Sequence, residues 1–284
     1  MFNERVRRHA PWSISKANLL TQCGFQFDLK YIQKLKEESK STQSKVGVVA
    51  HAVTEHVLKT GLVGDELSSF TRALVAREGM TVPEQAQVVA KVPSIEDYRM
   101  RVERFKASEG VSAEYIEQQL AIDEDFKSAP FFDNSKAMLR GVLDHGMRTQ
   151  DDVLVIVDHK SGQKKPIKEH TIQFYAYMLL GMGNYPDLKG VQCAINYMGD
   201  SRLSWFPRHD GTSGPWAADE IHAICRPWLE TFLNGLGPRL VGLDTGNLEP
   251  SPGWLCSYCG YVSKCAKGEQ FIQLRANKAS KPNV

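Results

Sequence analysis

The chain has 284 residues, 42% of them apolar and 24% charged, with 35 Lys and Arg against 33 Asp and Glu for a formal net charge of +2. These are the proportions of an ordinary soluble globular protein, long enough to bury a full core as one large domain or two small ones. No apolar run approaches the roughly 18 residues that a membrane-spanning helix needs, and the charged opening MFNERVRRHAPW lacks the apolar core of a secretory signal. No membrane partner and a cytoplasmic location are therefore expected.

The segment SISKANLLTQCGFQFDLKYI predicts a helix. Ser13 or Ser15 can cap it, because a hydroxyl accepts from an unpaired first-turn amide. Cys23-Gly24 ends or interrupts that helix, and residues 37–45 read as a polar linker. From Gly47 to about Lys59, Val49, Val53 and Val57 fall in one helical row, while His51 and Glu55, four apart, share another face. Residues 61–108 continue in helical style, with breaks near Gly79 and Pro83, as a helical subdomain.

The periodicity changes near Ser112. AEYIEQQLAID, KAMLRGVLDHGMR and VLVIVDHK read as three strands of an antiparallel run. HTIQFYAYMLLGM returns to helix, and VQCAINYMGDSRLSWFPR reads as a hairpin turning at Gly199-Asp200. AADEIHAICRPWLETFLNGL is helical again. A Pro/Gly-rich stretch over 237–253 leads to CSYCGYVSKC, and the tail 276–284 is expected to be disordered. No phosphate-cradling loop of the G-x-x-x-x-G-K-[ST] type is present, so the chain has no motor of its own.

If the strands ending at Asp144 and Asp158 are neighbours, their carboxylates converge at one edge. Period-two alternation puts Lys160 on the face of Asp158 and His159 on the other. Two hard oxygen ligands suit Mg²⁺ or Mn²⁺, and a lysine ammonium beside them can orient water and stabilise phosphoryl charge. The basic stretch KSGQKKPIK, 160–168, lies where a polyanion would approach. The alternative is that strand ends carry Asp and Lys as solvated punctuation.

Four blocks stand in order: Gly47 to His51, Gly141 to Asp144, Val157 to Gly162, and Gln173 to Tyr177. Together they resemble the RecB-type branch of the PD-(D/E)XK nucleases, which reads G-x-x-x-H, G-x-[ILV]-D, [ILV]-D-x-K-[ST]-G and Q-x-x-x-Y. Leu143 stands where the family's name has proline, and the stretch 61–108 carries no block. The resemblance implies an α/β fold: a mixed central sheet flanked by helices, with a helical insertion. It implies Asp144, Asp158, His51 and the backbone carbonyl of His159 as metal ligands, and Lys160 as the residue serving the attacking water. Glu117 would belong to the outer metal shell, with Glu114 competing for that place. Gln173 and Tyr177 would position DNA or Lys160, unless they only pack an amphipathic helix.

Six cysteines in a reducing compartment do not make a disulfide framework, and Cys193 and Cys225 read as core packing. Cys256, Cys259 and Cys265 have metal-ligand spacing and lack a fourth partner, for which Cys23 is a candidate. Spacing alone leaves zinc and an iron–sulfur cluster open. One cysteine ahead of the core and a C-x2-C-x5-C trio behind it are similar to the iron–sulfur RecB-like nucleases, including the CRISPR-adaptation accessory exonucleases. That likeness implies a [4Fe-4S] cap joining the N- and C-terminal segments (residue 23 and 254–266) within a single nuclease domain, 1–270.

The expected function is a metal-dependent DNA exonuclease acting on single strands or ends, in repair, recombination or adaptation. A helicase, a recombinase or an adaptation complex would be its partner. The alternatives are a catalytically silent DNA-binding scaffold subunit and a structure-specific endonuclease. Intact Asp144, Asp158 and Lys160 argue against the first, and the Q-x-x-x-Y helix with the cysteine module against the second.

Overall fold

The computed structural model describes residues 1–38, 41–200 and 202–279. The chain forms two compact units, one of Met1 with Gln43–Thr231 and one of Phe2–Thr42 with Phe232–Val284.

The unit built from both chain ends opens with α1 (Glu4–Arg8), α2 (Ile14–Gln22) and α3 (Gly24–Phe27), followed by a π-helical turn over Asp28–Ile32. Ser13 is the cap of α2, its hydroxyl accepting from the Lys16 amide at 3.1 Å. Cys23 is extended (φ −156°, ψ 104°) and breaks α2 from α3, as its place before a glycine suggests. Trp12, fully buried, donates its indole N–H to the Val6 carbonyl and stacks on Phe27.

The larger unit begins with four helices: α4 (Thr42–Thr60), α5 (Gly64–Arg77), α6 (Val82–Val89) and α7 (Val92–Glu109). Thr42–Lys45 of the expected linker thus already belong to α4, and residues 39–40 lie outside the described residues. Val49, Val53 and Val57 form the predicted row and are buried with Leu67, Leu74, Val88 and Ile95. Each such side chain contributes roughly 1.5–3 kcal/mol through removal from water. Gly110, at φ +63°, ends α7 in the left-handed conformation that a residue with a Cβ avoids.

The sheet follows: β1 (Val111–Ile122), β2 (Leu139–Thr149) and β3 (Val153–Lys160), then α8 (Thr171–Asn184) and β4 (Gly190–Tyr197). Two short strands, β5 (Ser204–Trp205) and β6 (Trp216–Ala217), pair with β4. The order is β1-β2-β3-β4-β5; β3 and β4 run parallel and the other pairs antiparallel, so the sheet is mixed. A parallel pair needs a crossover, and α8 supplies it. Nine of the fourteen residues of α8 are buried, because it packs on β1, β2 and β4 and on the π-helical turn Ile221–Cys225. The opposite face of the sheet, with Met147, Val155 and Val157, packs on Tyr98 and Val102 of α7.

After β6 come α9 (Ala218–Glu220) and α10 (Arg226–Asn234). In the unit of the chain ends, Gly237–Asp244 forms α11 inside what reads in sequence as an irregular Pro/Gly stretch. Pro238 lies in its first turn, where a missing N–H goes unnoticed, and Leu240 is buried. The last helix, α12 (Ala266–Ala279), includes residues 276–279 of the expected disordered tail; 280–284 lie outside the described residues. Within this unit Glu38 N–H donates to the Gly260 carbonyl and the Tyr261 hydroxyl to the Leu35 carbonyl, at 2.9 and 2.8 Å.

Candidate active site

The β2–β3 ladder runs from Arg148↔Leu154 to His145↔Val157 and ends there, one residue short of Asp144 and Asp158. Beyond that point β2 continues on β1 and β3 on β4, so the two strands fork. The β1–β2 register also passes over Glu117 and Asp144, between Ile116↔His145 and Gln118↔Leu143. Glu117 has φ +52°, a left-handed conformation costing on the order of 1–3 kcal/mol for a side-chain-bearing residue.

At this fork three side chains meet. Ligand atoms of His51, Glu117 and Asp144 all lie within 4.8 Å of one another. His51 arrives from α4, its Nδ1 3.6 Å from Asp144 Oδ2. The glycine one turn before it lets α4 approach: a Cβ on Gly47 would stand 3.0 Å from Ser161 Oγ, next to Lys160. Gly141 does the same for β2, since its Cβ would meet Leu180 Cδ1 of α8 at 2.6 Å.

Asp144 Oδ2 accepts the His159 amide at 2.7 Å, replacing a ladder bond where the strands part. Asp158 lies on the α8 face with Leu154 and Ile156, which pack against Gly181 of α8. Its Oδ1 accepts from Gln173 Nε2 at 2.8 Å and from the Tyr177 hydroxyl at 3.2 Å. Its Oδ2 faces the Lys160 ammonium at 2.8 Å, a charge contact without an aligned hydrogen bond. Lys160 keeps about a third of its side chain exposed, whereas Asp158 is buried.

The electrostatics favour a cation. Burial, followed by the neighbouring charges of Asp158 and Glu117, pushes the Asp144 carboxyl up to about 8. Burial and the charge of Glu55 raise Glu117 as well. Burial holds the His51 imidazole low, partly offset by Asp158, which leaves a ring nitrogen free to bind a metal. Asp144, Asp158 and Glu117 thus crowd together near the Lys160 ammonium. The donor set, carboxylate oxygens with one imidazole, suits Mg²⁺ or Mn²⁺.

The structure separates the two glutamate candidates. Glu114 turns away, bonded to Lys106 at 2.6 Å and His145 at 2.9 Å, while Glu117 joins His51 and Asp144. Gln173 and Tyr177 bond to Asp158 rather than to Lys160, and Tyr177 is buried. Sequence reading assigned no chemistry to α7, yet Tyr98 and Lys106 belong to a polar network behind the strands. The Asp-His doublet, repeated at 144–145 and 158–159, is the signal that could have found it.

In the unit of the chain ends, Cys23, Cys256, Cys259 and Cys265 line one cavity of about 240 Å³ together with Phe25, Leu29, Trp254 and Val262. The amides of Gly253 and Gly268 donate to Cys256 Sγ and Cys265 Sγ at 3.4 and 3.3 Å. Burial raises the Cys259 thiol; the Tyr261 amide opposes this, and the other three cysteines add to it. Amides donating to sulfur in an apolar cavity suit bound thiolates.

A sequence profile of the PD-(D/E)XK nuclease superfamily matches residues 11–266. No curated protein matches the chain. Among solved structures, that of a proposed exonuclease from Eubacterium rectale is similar with a TM-score of 0.49 at 15% identity, covering 90% of this chain and 89% of that one. The structure of SSO0001 gives 0.33 at 13% identity, covering 86% and 96%.

Proposed function

Because the chain belongs to the PD-(D/E)XK nuclease superfamily, we propose that it is a RecB-like, metal-dependent DNA exonuclease acting on single strands or ends. The observation that carries this reading is the fork itself: Asp144, Glu117 and His51 converge beside Asp158 and Lys160 where the β2–β3 ladder stops. His51, Asp144 and Asp158 would hold Mg²⁺ or Mn²⁺ with the His159 carbonyl, and Glu117 would complete the shell. When bound, such an ion supplies positive charge to a phosphoryl oxygen and acidifies water.

The protein's own groups do the rest. Gln173 and Tyr177 hold one oxygen of Asp158, so the other faces Lys160 and would be available to the cation. Lys160, partly exposed, orients the attacking water and meets charge that develops on the phosphate. The tilt of Asp144 is set by the His159 amide.

The four cysteines support a [4Fe-4S] cluster in this reading, with zinc as the alternative. All four cysteines line one cavity, which supports a shared metal group. DNA is the partner in this reading, with a helicase, a recombinase or an adaptation complex to supply context. No helix among the described residues is long and apolar enough to cross a membrane.

The test is a cleavage time course on end-labelled single-stranded and duplex DNA and on a closed circle, with Mg²⁺ or Mn²⁺. Protein purified without oxygen is compared with Lys160→Ala. Metal-dependent loss of label from ends by the wild type alone is expected. Equal cleavage by both proteins refutes the site. Cuts in the circle favour an endonuclease, and binding without cleavage under either metal favours a scaffold.

A further inference from the structure

Behind the fork, on the α7 side of the sheet, stands a buried polar network that the proposed chemistry does not use. Alternation sends Asp144 and Asp158 to the site and their neighbours His145 and His159 to the opposite face. Both histidines are buried, at 0% and 2% exposure, with Tyr98 of α7 against each. The Tyr98 hydroxyl lies 2.6 Å from His145 Nδ1, and its ring stands edge-on to that of His159 at 4.8 Å. His145 Nε2 is 2.9 Å from Glu114 Oε1, and Lys106 holds the other oxygen at 2.6 Å. The Asn196 side-chain amide lies 3.1 Å from His159 Nδ1.

The hydrogen-bond directions follow from the donors available. A carboxylate paired with an ammonium accepts only, so His145 Nε2 donates to Glu114. With a single proton on the ring, Nδ1 is then the acceptor for the Tyr98 hydroxyl. The chain from Tyr98 through His145 to Glu114 and Lys106 is saturated. Apolar side chains of similar size would fill this space at a lower desolvation cost, so packing alone does not account for it.

What the network does follows from where the ladder stops. Backbone bonds tie β2 to β3 only as far as His145↔Val157. One residue further on, the cross-strand tie is the Asp144–His159 amide bond, made by a carboxylate that the cation would also engage. Tyr98 touches His145, in the last ladder pair, by a hydrogen bond, and His159, two residues past Val157 on β3, by its ring, so it spans the point where the ladder stops. We infer that Tyr98, with His145 and Glu114, is a positioning clamp that holds the two carboxylate-bearing strand ends at metal-binding separation where the backbone ladder no longer does. The inference rests on the nuclease reading of the fork.

Tyr98→Phe tests it, because the ring stays and only the hydroxyl is lost. The control is Ile95→Val, a core change three residues earlier on α7, in the separate cluster with Val53, Val57 and Leu67. Mn²⁺ affinity is measured by calorimetry on full-length protein, beside melting temperature and the Mg²⁺ dependence of cleavage. Tyr98→Phe is expected to weaken Mn²⁺ binding about 10-fold, the low end of the scale for losing an outer partner of a metal ligand, because the hydroxyl acts on the strand ends through His145. The Mg²⁺ needed for half-maximal cleavage rises in step, while kcat at saturating metal stays within about twofold of wild type. Ile95→Val is expected to lower the melting temperature without moving Mn²⁺ affinity.

Wild-type affinity in Tyr98→Phe overturns the clamp, as does weakening in both variants in proportion to their loss of stability. Asp158→Asn separates the two levels of the argument. If wild type binds Mn²⁺ and Asp158→Asn does not, the metal site stands whatever Tyr98 does. If wild type binds none, site and clamp fall together.

Discussion

Replacing Asp144 by asparagine should make the metal-free protein more stable while removing its metal binding. The carboxyl is pushed up to about 8 from its ordinary 3.8, chiefly by burial and then by the charges of Asp158 and Glu117. The folded state therefore keeps a proton that the unfolded state has released, and between pH 4 and 8 stability falls as pH rises. At about 1.36 kcal/mol per pH unit, the cost at pH 7 is bounded near 4 kcal/mol, and solvent reaching the side chain brings it nearer 2. Asparagine does not ionise, and its oxygen can still accept the His159 amide. For a chain of this size the gain is about 5 °C in melting temperature in EDTA at pH 7. The gap should narrow towards pH 4 and stop widening above pH 8. Added Mn²⁺ should reverse the ranking, raising the wild-type melt and leaving Asp144→Asn where it was. A variant that melts at or below wild type in EDTA across this range would refute the argument that uncompensated carboxylates crowd the fork.

Gln173→Ala frees one oxygen of Asp158 and should cut cleavage roughly 10- to 100-fold, recovered in part by raising Mn²⁺; an unchanged metal requirement would count against the helix as a support for Asp158. Cys259→Ser should lose iron and visible absorbance together and lower the melting temperature, read by metal analysis and calorimetry; stoichiometric zinc in the wild type would point to the single ion instead. Gly190→Ala should destabilise the larger unit by about 1–3 kcal/mol in chemical denaturation, since the new methyl would sit 2.4 Å from the Trp216 carbonyl oxygen and β6 would have to shift.

Much of this architecture is local in origin and legible along the chain. The valine row of α4, the alternation of β3 and the helical period of α8 are set by repeats of 3.6 and two residues, which sequence displays directly. Alternation alone put Lys160 with Asp158 and His159 behind them, and the structure has them so. Helix α11 was hidden because Pro and Gly read as breakers unless their place in the first turn is known.

Other features depend on what stands across the fold. The choice of Glu117 over Glu114 turns on one left-handed residue and on Lys106 and His145 capturing its rival, none of which spacing encodes. That Gln173 and Tyr177 grip Asp158 required the distance between α8 and β3. Periodicity says which way a side chain points; only packing says what it meets there. Sequence by itself therefore determined most of the elements, α11 excepted, and the roster of acidic, basic and thiol groups. The tertiary structure alone decided which of them share a few ångströms, because that follows from where the β2–β3 ladder ends and which helices close over the fork.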